Sequence, residues 1–451
     1  MEFKRHIYQR LLSWKAKGGK TALLIEGARR IGKSTIAEIF ARNEYKSYIL
    51  IDFNLVTDVV KSAFNEYLND LDTFFLLLST TYNVTLHRRE SLIIFDEIQK
   101  FPKAREALKY LVKDGRYDYL ETGSLISIKE NVSGITIPSE EESVKMYPMD
   151  YPEFCEALGE ERLIDYIRQC FDQRKPLEEG LHNKAMLLLR QYIIVGGMPK
   201  SVAAYIENDR SFLASDAEKR SILHLYRSDI MKIDSRYRSR VLAIFDQIPG
   251  LLARQDKRVV LKDVEPGASF TVYEDTFFWL ADSMITNECF NCSDPNVGLA
   301  LSETRVYIKC YMADTGLLIS HAFNENELSD GELFNELLLK KLSINEGMFF
   351  ENLVMQMLTA AGHKPFFYLR YNKEKHRNDI EIDFIISNKS KLNFKIFPIE
   401  VKSNLHYTTV SLERFCDTFK KRIGEAFVIH PKNLSQKNGI TYIPAYMTFC
   451  L

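Results

Sequence analysis

Three short apolar runs punctuate the first 125 residues, Ala22 to Ile25, Tyr48 to Ile51 and Leu92 to Phe95, and Tyr117 to Ser124 reads as a further strand ending in small polar residues. Runs this short and this continuous read as strands buried on both faces. The segments between them have helical spacing. Tyr8 to Trp14 precedes the first strand, and Ile36, Ile39 and Phe40 form the apolar face of a helix after it. Leu55 to Tyr82 reads as two helices, with Phe74 to Leu78 expected to be buried in the second. Ala104, Leu108 and Leu111 mark another helix over Lys103 to Lys113, and Ser143 to Met149 reads as a further strand. Strands alternating with helices imply crossover connections and a parallel sheet covered on both faces.

The pattern then changes. Asp150 is expected to cap a helix, with Pro152 in its first turn and Glu153 completing a capping box. Residues 156 to 250 are mostly helical, broken by a sharp turn at Gly196-Gly197-Met198-Pro199. Residues 250 to 330 hold short helices and strand-like pieces at Arg258 to Leu261, Thr271 to Leu280 and Arg305 to Tyr311. Helices followed by a strand pair suit a small winged-helix domain. Gly347 to Leu358 is a strong amphipathic helix, followed by strands at 365–370, 379–386 and 397–403.

At 451 residues the chain has room for two to four domains, and 46% hydrophobic content allows each a core. The net charge of −1 gives no global attraction to nucleic acid or membrane, so any such binding must be local. No apolar run approaches the roughly 18 residues of a membrane span. The first residues lack the apolar core of a signal peptide, so a cytosolic protein is expected. Seven cysteines, an odd number spread over the chain, do not suggest a disulfide framework. Cys289 and Cys292 form a lone C-x-x-C and are expected to be buried thiols.

Candidate chemistry begins directly after the first strand. Gly27-Ala28-Arg29-Arg30-Ile31-Gly32-Lys33-Ser34-Thr35 matches G-x-x-x-x-G-K-[ST], the phosphate-binding loop of nucleotide hydrolases. The glycines let successive N–H groups point at phosphate oxygens. Lys33 would reach the β- and γ-phosphates of ATP, Ser34 would hold Mg²⁺, and the helix opening at Lys33 adds its positive end. The strand Ser91 to Phe95 ends in Asp96 and Glu97. In such ATPases Asp96 would hold Mg²⁺ through water, and Glu97 would be the general base. Thr122 and Ser124 are candidates for sensing the γ-phosphate; an ordinary turn is the alternative.

From Tyr226 to Lys262 there are nine Lys or Arg against four Asp or Glu. Such a patch could contact the phosphates of ATP or of nucleic acid, with Arg227, Arg236, Arg238 or Arg240 as an arginine finger. A solvated helical face is the alternative. Further on, Glu351 lies on a helix, Asp383 on a strand, and Glu400 and Lys402 two apart on the next strand, facing one way. This is the metal constellation of nuclease folds, where carboxylates hold a divalent cation. An edge salt-bridge ladder has the same spacing. The basic run His363 to Arg377 flanks it.

With these residues in hand, the chain resembles a group of prokaryotic AAA-type ATP-binding proteins with a C-terminal domain of unknown function related to the PD-(D/E)xK nucleases. The resemblance rests on GARRIGKS (27–34), LIIFDEIQK (92–100), TGS (122–124), YPMDYPEF (147–154), GGMP (196–199), YRSDI (226–230), KCYMADTGLL (309–318), EIDF (381–384) and PIEVKS (398–403). It carries Glu351, Asp383, Glu400 and Lys402 onto a nuclease-like site, although Ile382 rather than Pro precedes the Asp. It implies an α/β protein: a P-loop ATPase domain over 1–155 and a helical region over 156–250. A winged-helix-like domain over 251–335 and a restriction-endonuclease-like domain over 336–451 would follow. The expected ligands are ATP and Mg²⁺, with DNA or a protein as candidate partner and no membrane; oligomeric state stays open.

Overall fold

The computed structural model describes residues 1–124, 138–264, 267–323, 334, 336, 346–372, 374, 377–387 and 395–451. The chain divides into two compact units. One comprises residues 2–147 with 282–284; the other comprises 148–281 and 285–451 with Met1.

The first unit carries five parallel strands: β1 (Ala22–Glu26), β2 (Ser47–Asp52), β3 (Ser91–Asp96), β4 (Asp118–Gly123) and β5 (Glu141–Lys145), in the order β2-β3-β4-β1-β5. Burial follows position in the sheet. Every residue of the inner strands β3 and β4 is buried, whereas β2 and β5, at the edges, hold exposed or half-buried residues. Helix α1 (Ile7–Lys15) precedes β1, and the connections run through α2 (Lys33–Glu44), α3 (Asp58–Glu66), α4 (Leu71–Tyr82) and α5 (Pro102–Asp114). One side of the sheet is an aromatic core in which Phe53, Phe64 and Phe95 meet pairwise at 5.7–6.0 Å. The apolar run in α4 is not buried throughout. Phe74, Phe75 and Leu78 face the core, but Leu76 is 66% exposed, because a 3.6-residue turn carries it to the opposite face.

The second unit begins with helices α6 (Tyr151–Ala157), α7 (Glu161–Asp172), α8 (Glu179–Val195), α9 (Pro199–Glu207), α10 (Phe212–Ile230) and α11 (Ser235–Ala253). The expected capping box is present: Asp150 accepts from the Glu153 N–H at 2.8 Å, and the Glu153 carboxylate accepts from the Asp150 N–H at 3.1 Å. The turn at Gly196-Gly197 is set by close approach. A Cβ on Gly197 would lie 2.0 Å from the Met149 carbonyl oxygen, and one on Gly316 would lie 2.6 Å from the Gly196 Cα. Asp314, fully buried, accepts from the Gly197 N–H at 2.6 Å. The motifs around Met149, Gly197 and Asp314 thus converge to pack three chain segments together.

A short helix α12 (Leu261–Val264) and α13 (Phe270–Asp282) follow. Thr271 to Leu280 is therefore helical, not strand-like. Its β-branched and aromatic residues favour a strand locally, but Tyr273, Thr276, Phe277 and Leu280 lie on one helical face that the core buries. Arg258 to Leu261 makes only a bridge, Arg258 to Lys309, before α12 starts.

The remaining strands form one eight-stranded sheet: β6 (Thr286–Cys292), β7 (Glu303–Met312), β8 (Phe366–Asn372), β9 (Arg377–Ser387), β10 (Ile396–Val401), β11 (Ala426–His430), β12 (Ser435–Lys437) and β13 (Ile440–Pro444). Their order is β12-β13-β11-β10-β9-β8-β6-β7, with parallel and antiparallel pairs mixed. The strand pair assigned to a separate winged-helix-like region hydrogen-bonds into this sheet through β6 and β8, so it shares a sheet with residues 366–444. Helices α14 (Thr315–Ala322), α15 (Glu346–Ala360) and α16 (Val410–Thr418) complete the unit. All seven cysteines are free thiols, five of them buried, Cys289 and Cys292 among these. Among the described residues, no helix is long and apolar enough to cross a membrane.

Candidate functional site

The nucleotide-binding residues lie in the first unit, at the C-terminal ends of β1, β3 and β4, where parallel sheets bind ligands. Gly27 to Gly32 form the loop between β1 and α2. A Cβ on Gly27 would meet Ile31 Cδ1 at 2.3 Å and the Met146 carbonyl at 2.6 Å, so only glycine fits. Gly32 closes the loop at φ +90°, where glycine is unstrained, and Arg30 also has positive φ. Ala28 and Ile31 are buried; Arg29, Arg30 and Thr35 are exposed. Lys33 is buried and folds back to donate to the carbonyls of Gly27 and Ala28 at 3.0 and 2.9 Å. Burial lowers its ammonium to about 8, against the opposing pull of Glu97 and Asp96.

Although β1 and β3 are not neighbours, Ser34 in the first turn of α2 donates to Asp96 Oδ1 at 2.7 Å. Thr122, on the intervening β4, donates to the same carboxylate oxygen and accepts from the Glu97 N–H at 3.3 Å. Glu97 adopts a left-handed conformation (φ 55°) and its carboxylate accepts from Gln99. Ser124 is half-buried just beyond β4. Ser34 and Asp96 are hard oxygen donors and suit Mg²⁺ beside substrate phosphates. Two supporting residues had no role in the sequence reading. Gln99 is the first, and Arg5 the second: its guanidinium holds the Ile31 carbonyl at 3.0 Å and that of Tyr147 at 2.6 Å. Gln99 lies within a motif already singled out, but Arg5, outside every motif, carries no local signal.

The arginines of the basic patch belong to the second unit. Arg227 pairs with Asp246 at 2.6 Å and Arg236 with Asp234 at 2.7 Å. Arg238 donates to the Ile233 carbonyl at 3.0 Å and Arg240 to that of Val272 at 3.3 Å. In the other basic run, Lys364 pairs with Glu303 and Arg370 with Asp379, while Lys373, Lys375 and His376 lie outside the described residues.

The C-terminal candidates do come together. Asp383 on β9 accepts from the Val401 N–H of β10 at 2.8 Å, and Glu400 pairs with Lys402 at 2.6 Å. Glu351, on α15, is buried and held by groups the sequence reading had not placed there. It accepts from Lys257 and Tyr311, and Lys309 lies 3.5 Å away. Lys309 also lies 4.0 Å from Asp383. Burial would raise the Glu351 carboxyl, but Lys309, Lys257 and the hydrogen bonds bring it down to about 2. Burial raises Asp383, with Glu351 adding to the effect, and lifts Glu400 to about 7 despite Lys402. One Glu400 oxygen is buried without a hydrogen-bond partner. Ammonium groups thus stand against these carboxylates: Lys257 and Lys309 at Glu351, Lys309 near Asp383 and Lys402 at Glu400. Among the described residues, no three Asp, Glu, His or Cys are arranged to hold a metal.

No curated protein matches the chain. Among solved structures it is similar to the Walker-type ATPase PABY2304 of Pyrococcus abyssi, at 15% identity over 71% of this chain and 96% of that one, TM-score 0.40. It is also similar to Cdc6p from Pyrobaculum aerophilum, at 11% identity over 75% and 96%, TM-score 0.27. Residues 186–328 and 346–447 match two domains of unknown function, DUF8612 and DUF4143. Residues 19–155 match the AAA domain family. The loop, Lys33, Ser34 and Asp96 all lie within that matched stretch, which is similar to P-loop domains of the AAA type.

Proposed function

We propose that the protein is a Mg²⁺-dependent ATP hydrolase whose nucleotide state controls the C-terminal module. The observation that carries this reading is the joining of Ser34, Thr122 and Glu97 around Asp96. The loop N–H groups and Lys33 bind the ATP phosphates, and Ser34 and Asp96 hold Mg²⁺. When bound, the ion neutralises charge on the phosphates. Glu97 takes the proton of the attacking water, oriented by its hydrogen bond from Gln99. Thr122 ties the backbone of that base to Asp96, so both carboxylates keep a fixed spacing; Ser124 stands beside it as a second polar group near the γ-phosphate. Arg227 remains the candidate finger, because its exposed pair with Asp246 is weak enough to release. The test is phosphate release from ATP with and without Mg²⁺; no Mg²⁺-dependent turnover would sink the reading.

The module itself has two readings, cleavage of nucleic acid or binding of nucleic acid or a protein partner. The ammonium groups against Glu351 and Asp383 favour binding. Plasmid and single-strand cleavage with Mg²⁺ or Mn²⁺, with and without ATP, separates them. Cleavage that Asp383→Ala abolishes would restore the nuclease.

A further inference from the structure

Three carboxylates and three amines meet where the second unit joins α15 to its sheet: Glu351, Asp383 and Glu400 with Lys257, Lys309 and Lys402. With all six ionised, the formal charges cancel. The amines arrive by different routes, and this decides what each can do. Lys402 follows directly after β10 and is partly exposed. Lys257 comes from a segment pinned to β7, where the Val259 N–H donates to the Ile308 carbonyl at 2.8 Å. Lys309 is in β7 itself, opposite Cys289 of β6, and only 2% exposed.

We propose that the Lys309 ammonium takes the place between Glu351 and Asp383 that a divalent cation would need, so that this domain is metal-free by construction. The amine lies 3.5 Å from one carboxylate and 4.0 Å from the other, and the face of Phe367 covers it at 5.1 Å. A strand residue cannot swing away as a loop residue could. A metal ion would have to displace a charge that is itself buried, which is costly. An aromatic face suits an ammonium and supplies no ligand for a hard cation. Glu351 and Asp383, two of the carboxylates seen in the sequence, are thus internal counter-ions to Lys309. This holds whether or not the P-loop domain hydrolyses ATP.

The test is Mn²⁺ binding by electron paramagnetic resonance on the nucleotide-free full chain, with Asp96→Asn throughout to remove the P-loop's own oxygen donor. The parent chain is expected to bind no Mn²⁺ at the cluster. Lys309→Met leaves Asp383 without its ammonium neighbour and Glu351 with Lys257 and Tyr311 alone, and is expected to bring bound Mn²⁺ to the cluster where the parent has none, an effect that adding Asp383→Asn removes. Mn²⁺ bound by the parent and lost on Asp383→Asn would overturn the proposal. So would a folded Lys309→Met chain that binds no better than its parent. If Lys309→Met does not fold, the parent's melting temperature decides. A midpoint indifferent to Mn²⁺, Mg²⁺ and chelator supports the proposal, and a metal-induced rise that Asp383→Asn abolishes refutes it.

Discussion

The Ser34 hydroxyl, in the helix that follows β1, donates to Asp96 at the end of β3 at 2.7 Å, although β4 lies between those two strands. That contact ties the first turn of α2 to the end of β3, and Thr122 from β4 reaches the same oxygen from between them. Three consecutive positions in the sheet therefore contribute to one centre.

Lys33 and Glu97 are expected to separate binding from turnover. Lys33→Ala removes the one buried cation of the loop and should abolish ATP binding. Glu97→Gln keeps the shape but loses the base, so nucleotide affinity should persist while turnover falls by about 10²–10⁴-fold. Calorimetric titration beside steady-state phosphate release distinguishes the two; unchanged hydrolysis in either variant would remove the assignment.

Thr122 accepts from the Glu97 N–H and donates to Asp96, so its hydroxyl is worth more than a turn residue's. Thr122→Val keeps the volume and leaves both partners short of a bond, costing roughly 1–3 kcal/mol at this buried site. Slower turnover with little change in ATP affinity is expected, and Thr122→Ser should restore it. Equal rates in both variants would return Thr122 to a structural role.

Glu351 and Lys402 should differ sharply in their effect on stability. Glu351→Ala strands Lys309 in the interior beside one remaining carboxylate, at a cost of roughly 3–5 kcal/mol. Lys402→Ala costs far less, because Glu400, with burial already lifting it to about 7, can take up a proton instead of staying as an unpaired anion. Denaturant midpoints of the two variants against wild type make the comparison, and a larger loss from Lys402→Ala would contradict it.

Acid should weaken the second unit through His430. Burial lowers its imidazole from 6.5 to about 4, with Lys432 and His182 nearby adding to the effect and the Asn433 carbonyl opposing it. Its Nδ1 meets the Tyr407 hydroxyl at 2.5 Å and its Nε2 the Asn433 carbonyl at 3.3 Å, an arrangement that suits a neutral ring. The unfolded chain takes up the proton first as pH falls below 6.5, so stability present at neutral pH is lost down to about 4. The slope is at most about 1.4 kcal/mol per pH unit. His430→Gln should flatten the fall in melting temperature between those limits; an unaltered slope would assign it to other groups.

Much of the nucleotide centre was legible in the chain because its chemistry is local. Gly27, Gly32, Lys33 and Ser34 are neighbours, and the loop that binds phosphate is made by their own backbone. Asp96 and Glu97 stood out because the phosphate loop lay upstream; by itself an acidic pair at a strand end is often only a helix cap. The capping box at Asp150 was equally readable, since both partners lie within one turn. What spacing could not show was which strands would share a sheet. Residues 286–312 joined the C-terminal sheet because β6 finds its parallel partner in β8, more than fifty residues further on. Thr271 to Leu280 became a helix because the surrounding core rewards a 3.6-residue face over β propensity. The same non-local pairing decided the character of the C-terminal cluster. Glu351, Asp383, Glu400 and Lys402 were visible as a pattern, yet the ammonium of Lys309 and the hydroxyl of Tyr311 reach Glu351 from β7 only once the sheet forms. Sequence alone determined which carboxylates could meet; tertiary structure decided what they meet, because a buried charge takes its identity from the counter-ion the fold delivers.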